Sequence, residues 1–461
     1  MACTDNETIG QEKSATGAAA SAAPPASPRV AFGLLAGMQL VLIAGISVIL
    51  VALPAVGREF GTGRSGLALV TTAYGLAFGG LLMLGGRIAD LAGHRRTFLA
   101  GVLVFGAGSV AAAVAPGFGW LVAARFGQGV GAALVAPAAL ALLGAIYPEP
   151  ARRARMLAIW GGVNGIGATL GLLLSGLVVT YVSWRWSFAL PAAVAAVVAA
   201  SGRRVLPVPP RPERPGRLDV LSAVLITLGI SVLSHGLLQA GERPWTAPVV
   251  YAPIAAGAAV LAAFFVRESR SADPLLPPSL LAARRRATGV LGIFLMAGGM
   301  ATTLFLLSLF FQQERGLSPL QTSAAFLPYG LAQVGSGLVA GRLVGRFGPR
   351  AVTTTGLLLV AGALLLIGTG VPPVLYAALP AFAVASALVF AGSMVAAVDD
   401  VPTAQAGVAG GVVNTAMETG PTVGLAVLIS LGGLAFHVAA AVFLVAAPLA
   451  MITLRKPAGK P

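Results

Sequence analysis

Charge is what this chain has least of. Only 10% of its 461 residues are Asp, Glu, Lys or Arg, while 57% are hydrophobic and mean hydropathy is +0.90. A water-soluble protein of this length needs far more charge to cover its surface. Cysteine is nearly absent too: Cys3 stands alone in a polar tail, so there is no intrachain disulfide and no cysteine-built metal cluster. The three histidines, His94, His235 and His437, are far apart and lack ligand spacing. No GxxxxGK[ST] segment is present to cradle a nucleotide phosphate, which argues against an ATP-driven pump. A cluster of His, Asp, Glu or Ser at one membrane face, as an integral-membrane enzyme would need, is also missing. No metal, cofactor or enzymatic activity is expected.

What remains is apolar sequence in long runs. A membrane-crossing helix needs ~20 mostly apolar residues. Fourteen such runs can be marked, at about 31–54, 66–86, 97–115, 119–145, 157–181, 187–205, 220–240, 247–266, 287–311, 321–341, 351–371, 374–396, 404–432 and 435–453. The first run is too long for a signal peptide and reads as a retained span. Residues 1–30, rich in Ala, Ser, Gly and Pro, read as a disordered cytoplasmic tail. The expected plan is an all-α membrane protein: a six-helix bundle over 31–206, linkers with two inserted spans over 207–286, a second six-helix bundle over 287–455, and a short cytoplasmic tail, 456–461.

The net charge of +15 would suit a nucleic-acid binder, but its distribution does not. With the N-terminus in the cytoplasm, 24 of the thirty basic residues fall in tails and inner loops. Arg58, Arg64, Arg185, Arg243 and Arg315 fall outside, and Arg125 within a span. That asymmetry is a topology signal. It places both termini in the cytoplasm and the chain in a bacterial inner membrane, with lipid as a partner and nucleic acid excluded. Arg outnumbers Lys 27 to 3, which points to a GC-rich genome.

One stretch occurs twice. Gly86-Arg-Ile-Ala-Asp90-Leu-Ala-Gly93-His-Arg95 follows the second run. Gly341-Arg-Leu-Val-Gly-Arg-Phe-Gly348-Pro-Arg350 follows the tenth, with its Gly and Arg positions at a constant offset of 255. Matching loops imply two homologous halves, a mark of secondary transporters whose sites form where the halves meet.

The first copy, extended to Arg96, resembles the loop signature of the major facilitator superfamily. The resemblance implies that Gly86 and Gly93 serve close approach and a tight turn. It also implies that Asp90, Arg95 and Arg96 act as a cytoplasmic latch holding the outward-facing state. Arg125-Phe-Gly-Gln128-Gly129-Val-Gly131 is similar to the family's fourth-span motif, whose arginine is tied to proton coupling. A charge there faces either the bundle interior or, by snorkelling, the nearby interface. Gly161 to Gly176 resembles the antiporter motif of exporters, with Gly167, Gly171 and Gly176 as a packing face for a partner helix. Leu172 replaces that motif's proline and Ser175 one of its glycines. Ser183-Trp184-Arg185-Trp186 resembles the 14-span drug:proton antiporter branch, as do Phe311-Gln312-Gln313 and Gly410 to Thr415. The likeness covers roughly 31–455. One departure is pronounced: the branch's first-span motif carries an aspartate and an asparagine where this chain has Gly45 and Leu50.

The reading that follows is a proton-coupled exporter of drugs, antibiotics or hydrophobic metabolites, working by alternating access as a monomer. Its substrate would be a small amphipathic or cationic molecule and protons its second partner. Glu418, the only acidic residue deep within a marked run, and Arg125 are the candidates for proton coupling or for binding substrate charge. Ser47, Thr72, Tyr74, Gln128, Asn164, Gln333 and Asn414 are candidate cavity residues, and His235 is read as structural. The alternatives are a proton-independent facilitator or importer, and more remotely a non-transporting sensor or enzyme.

Overall fold

A computed structural model describes residues 27–208, 219–240, 243–271, 282–398, 401 and 406–454. Among these the chain is helical, and twelve helices are long and apolar enough to cross a membrane. The first six are α1 Pro28–Phe60, α2 Arg64–Ala92, α3 His94–Ala113, α4 Phe118–Ile146, α5 Pro150–Tyr181 and α6 Trp186–Val205. The inserted pair is α7 Val220–Gln239 and α8 Pro248–Arg270. The last group opens with α9 Arg284–Leu309, whose end widens into a π turn, Phe310–Glu314. A continuous rod, Pro319–Gly368, follows and is broken at Gly348, where φ is 79° and ψ 160°. Its limbs are α10 (319–347) and α11 (349–368). Then come α12 Pro372–Val398, α13 Ala406–Ser430 and α14 Ala435–Thr453. Taking the rod as two gives fourteen helices, in register with the fourteen apolar runs. The longer helices overshoot their runs by several residues, because an α-helix continues through a polar interface as readily as through lipid. α8 is the telling case: it carries on past Val266 to Arg270 and buries Glu268.

Helix starts follow ordinary capping chemistry. Ser318 accepts a bond from the Gln321 amide while the Gln321 side chain accepts one from the Ser318 amide. Asp219 accepts from the Ser222 amide at 3.0 Å and so opens α7.

The repeat in the sequence is a repeat in space. α1 packs on α5 and α3 on α6; in the second half α9 packs on α13 and α11 on α14. Both copies of the loop turn on a glycine with positive φ, Gly93 at 95° and Gly348 at 79°. The arginine two residues on then caps the last helix of its own half. Arg95 Nη1 donates to the carbonyls of Arg203 and Leu206 at the end of α6, each at 3.3 Å. Arg350 Nε donates to the Met451 carbonyl in α14 at 2.8 Å. A cation on the exposed carbonyls of a helix C-terminus also opposes the helix dipole.

The two halves meet along α2 with α13 and α5 with α10, two seams related by the pseudo-twofold axis. α7 lies against both α2 and α13, and α8 packs mainly on α7. The apolar core divides in a revealing way. One cluster joins both halves at the end of the bundle distal to the termini, from Leu53, Leu67 and Phe188 to Phe305, Phe311 and Phe326, and continues along the second half to Ala447 and Leu454. Towards the termini the first half has its own cluster, with Leu35, Phe98 and Leu142, and a small separate one lies around Ile293 and Val413.

Candidate functional site

Close approach at the seams is built from glycine. On α5 a Cβ added to Gly167 would lie 3.2 Å from the Leu40 carbonyl, and one on Gly171 2.9 Å from the Ala44 carbonyl, both on α1. One turn further on, Gly176 faces α10, where an added Cβ would lie 2.6 Å from Ser323 Cβ and 2.8 Å from the Pro319 carbonyl. The expected packing face therefore serves two partners. Ser175, in place of glycine, is fully buried and donates to the Val48 carbonyl at 2.5 Å. The Leu172 carbonyl accepts from Ser323 Oγ at 2.6 Å, so the position without proline carries a cross-half hydrogen bond.

The distal end is tied shut by polar links between the halves. Ser308 donates to the Leu50 carbonyl at 2.7 Å and Gln312 to the Val51 carbonyl at 3.0 Å. Thr180 Oγ1 accepts from the Leu320 amide at 3.1 Å, and Arg64 pairs with Glu314 at 3.3 Å. That ion pair is exposed and contributes little to stability; the buried carbonyl bonds matter more.

The Trp-Arg-Trp segment does more than anchor an interface. Trp184 is buried and donates to Glu59 Oε2 at 2.7 Å, and Arg185 grips the same carboxylate with two nitrogens at 2.6 and 2.9 Å. The guanidinium also lies 4.5 Å above the Trp184 ring. The hydrogen bond to Glu59 raises the Arg185 pKa above its ordinary value. Only Trp186 is the exposed aromatic that an interface anchor requires. Glu59 was not singled out in the sequence, since nothing local marks a partner 125 residues from Trp184.

Arg125 is 1% exposed, so it faces the bundle interior and does not snorkel. Nε donates to the Val70 carbonyl at 3.1 Å, and Nη1 donates to the Gly45 carbonyl at 3.4 Å and to Gln128 Oε1 at 3.1 Å. Gln128 passes the chain on to Ser109 Oγ at 2.8 Å, which donates to the Phe105 carbonyl. The rings of Tyr74 and Phe188 lie 4.7 and 5.8 Å from the guanidinium carbon. The glycines after Arg125 make this possible: Gly129 admits the α2 backbone at Tyr74 and Gly131 the α3 backbone at Phe105.

Glu418 lies at the other seam. It is 6% exposed on α13, where a Cβ added to Gly79 of α2 would come within 3.0 Å of Glu418 Cβ. Gly75 in the same way faces Thr422 at 2.9 Å.

The remaining candidates scatter. Ser47 is buried against Gly171, and Thr72 bonds back within α2. The Tyr74 hydroxyl donates to the Leu42 carbonyl at 3.3 Å. These three and Gln128 sit in helix contacts. Gln333 and Asn414 are partly exposed, and Asn164 lies on α5 with its side chain outside the described ones. In the loop after α2, Arg96 is exposed and Asp90 half-buried, and Asp90 forms no ion pair among the described residues.

Comparison with known proteins agrees with this geometry. A family model described as Major Facilitator Superfamily matches residues 35–424 and 289–461. The puromycin resistance protein pur8 of Streptomyces alboniger is 38% identical over 425 residues, covering 89% of this chain and 84% of that one. The lincomycin resistance protein of Streptomyces lincolnensis is 36% identical over 433 residues, covering 90% and 87%. A crystal structure of a peptide transporter, POT, in complex with sulfate superposes with a TM-score of 0.69 at 18% identity, over 94% of this chain and 96% of that one. The last likeness concerns the fold alone. Two six-helix halves, a repeated glycine-arginine loop and these relatives lead to one conclusion: the chain is a multi-pass membrane protein that belongs to the major facilitator superfamily.

Proposed function

We propose that the chain is a secondary active exporter of drugs, antibiotics or hydrophobic metabolites, working by alternating access and exchanging its cargo for protons. The observation that carries this reading is the position of Glu418. A carboxyl group buried at the α2–α13 seam, packed on Gly79, lies on a surface that must slide if the halves rock. Its environment therefore differs between the two states. A difference in environment is what couples protonation to conformation. The resistance relatives support the class of cargo.

With cytoplasmic termini the distal end is the outer face, so the structure corresponds to a state closed to the outside. Asp90, Arg95 and Arg96 are then read as a latch that is disengaged here: Arg95 rests on the end of α6 in its own half. It would close onto the other half when the outer end opens. Gly167, Gly171 and Gly176 form the packing face on which α5 pivots. The setting is a bacterial inner membrane, with the chain as a monomer.

The test is efflux of a fluorescent lipophilic cation from energised cells, comparing the native chain, Glu418→Gln and a protonophore control. Export lost in both the variant and the protonophore arm is expected. Export that ignores the protonophore would refute antiport and favour a proton-independent facilitator. Gly45 in the first span, where the related branch carries an acid, is the observation on that side.

A further inference from the structure

Arg125 is a buried cation with an unfinished set of partners. Three of its hydrogen bonds go to neutral acceptors: the carbonyls of Val70 and Gly45 and the amide oxygen of Gln128. None of the described carboxylates pairs with it. Nη2 is buried and has no hydrogen-bond partner. A guanidinium is always charged, and leaving such a charge uncompensated away from water is costly. Aromatic rings at 4.7 and 5.8 Å flank it. Such rings attract the charge but accept none of its N–H groups in the manner of a lone pair.

The first helix meets the arginine through Gly45, which has no side chain. Gly45 gives its carbonyl to Nη1, and a Cβ built on Gly45 would meet no atom within 4 Å. On the neighbouring face of the same helix the packing is tight: a Cβ added to Gly171 would lie 2.9 Å from the Ala44 carbonyl and 3.1 Å from Ser47 Cβ. Open space is thus left at the α1 residue that bonds the arginine. The Tyr74 hydroxyl does not fill it, because it is engaged with the Leu42 carbonyl.

We propose that Arg125 is the recognition point for a carboxylate on the transported molecule, which enters the space at Gly45 and takes the free Nη2 of the guanidinium. A carboxylate matches the fork of an arginine in shape and charge, and a charge-assisted pair is about twice as strong as a neutral one. The site lies about two helical turns inside α4, where the shared core of the closed distal end, at Ala124 and Phe188, meets the first half's own cluster at Tyr74, so a cargo bound there is shielded from water on the distal side. This deepens the exporter reading and rests on it: the cargo carries a negative group in addition to its apolar body, and Glu418 remains free for the proton.

The test uses the purified full chain in lipid nanodiscs and two probes with one ring system, 1-pyrenebutyrate and the neutral 1-pyrenebutanol. Native protein is expected to bind the carboxylate more tightly than the alcohol by roughly tenfold or more, the scale of a charge-assisted hydrogen bond. Gly45→Asp supplies a tethered carboxylate in the open space. It should abolish that preference while keeping the thermal unfolding midpoint at or above the native value. Arg125→Gln should also abolish it. Equal native affinity for the two probes, or a Gly45→Asp protein that keeps the native preference, overturns the proposal. Saturating chloride that erases the preference would assign the site to an inorganic anion and overturn it as well. Export of 1-pyrenebutyrate, read as its accumulation in energised everted vesicles, is measured separately. Carboxylate preference without export refutes the exporter and leaves the anion site, while export without the preference does the reverse.

Discussion

Gly176 offers the sharpest test of how the distal end closes. Replacing it with alanine adds one methyl group in the tightest cross-half contact of α5. The new Cβ would lie 2.6 Å from Ser323 Cβ and 2.8 Å from the Pro319 carbonyl. Neither atom is the end of a flexible side chain, so the helices must part. Overpacking of this kind costs about 1–3 kcal/mol. The strain exists only while α5 and α10 are in contact. It therefore acts on the balance between closed and open states and shifts it by a factor on the order of 5 to 150. Spin labels at Arg58 and Arg315, exposed residues at the distal ends of α1 and of the π turn after α9, report the gap directly. The native chain should give mainly a short distance, and Gly176→Ala a mixture dominated by a longer one. Gly37→Ala is the control, because a Cβ there meets nothing within 4 Å and alanine favours a helix. An unchanged distance distribution in a folded Gly176→Ala protein would refute the idea that this contact holds the end shut.

Three further outcomes are expected. Gly131→Ala should lower stability by about 1–3 kcal/mol, seen as a lower thermal midpoint in detergent, because the methyl group meets the Phe105 backbone. Glu418→Gln should remove protonophore-sensitive dye efflux without lowering membrane expression, since the side chain keeps its size. Asp219 is also informative. Burial works to raise its pKa, but hydrogen bonds from Ser222 and Arg267 outweigh it and hold the folded value below the ordinary 3.8. The cap is thus fully effective above pH 3.8 and is lost as pH falls from there through the depressed value. Protection of the amides at the start of α7, corrected for the intrinsic pH dependence of exchange, should hold at neutral pH and fall only in that acid window, while Asp219→Asn should weaken the link to Arg267 at every pH above it.

The outline of the fold was legible in the sequence for simple reasons. Apolar runs of spanning length and clustered arginines are long-range averages that survive local error, and all fourteen runs found a helix. The repeat was legible because Gly93 and Gly348 each need a positive φ, which keeps glycine in both copies. Partnerships were not. The Glu59 carboxylate and the Trp184-Arg185 pair are brought together by folding across 125 residues, and no periodicity announces that. Glu268 escaped notice because the charges around it imitate the end of a span, whereas the helix runs on to Arg270. Arg125 was recognised as costly, but its burial depends on Gly129 and Gly131 letting three helices close around it.

The inserted α7 has a consequence for traffic between protein and lipid. A bundle with true twofold symmetry would offer the bilayer two equivalent lateral doors, one at each seam. α7 stands across the α2–α13 door, with Thr227 set against Gly80 of α2. The opposite doorway, between α5 and α10, carries exposed Leu174, Leu327 and Leu331. A hydrophobic molecule dissolved in the membrane therefore meets two unequal seams, one covered by α7 and the other facing lipid. Two helices that add nothing to the inner symmetry of the halves thereby give the whole molecule a front and a back.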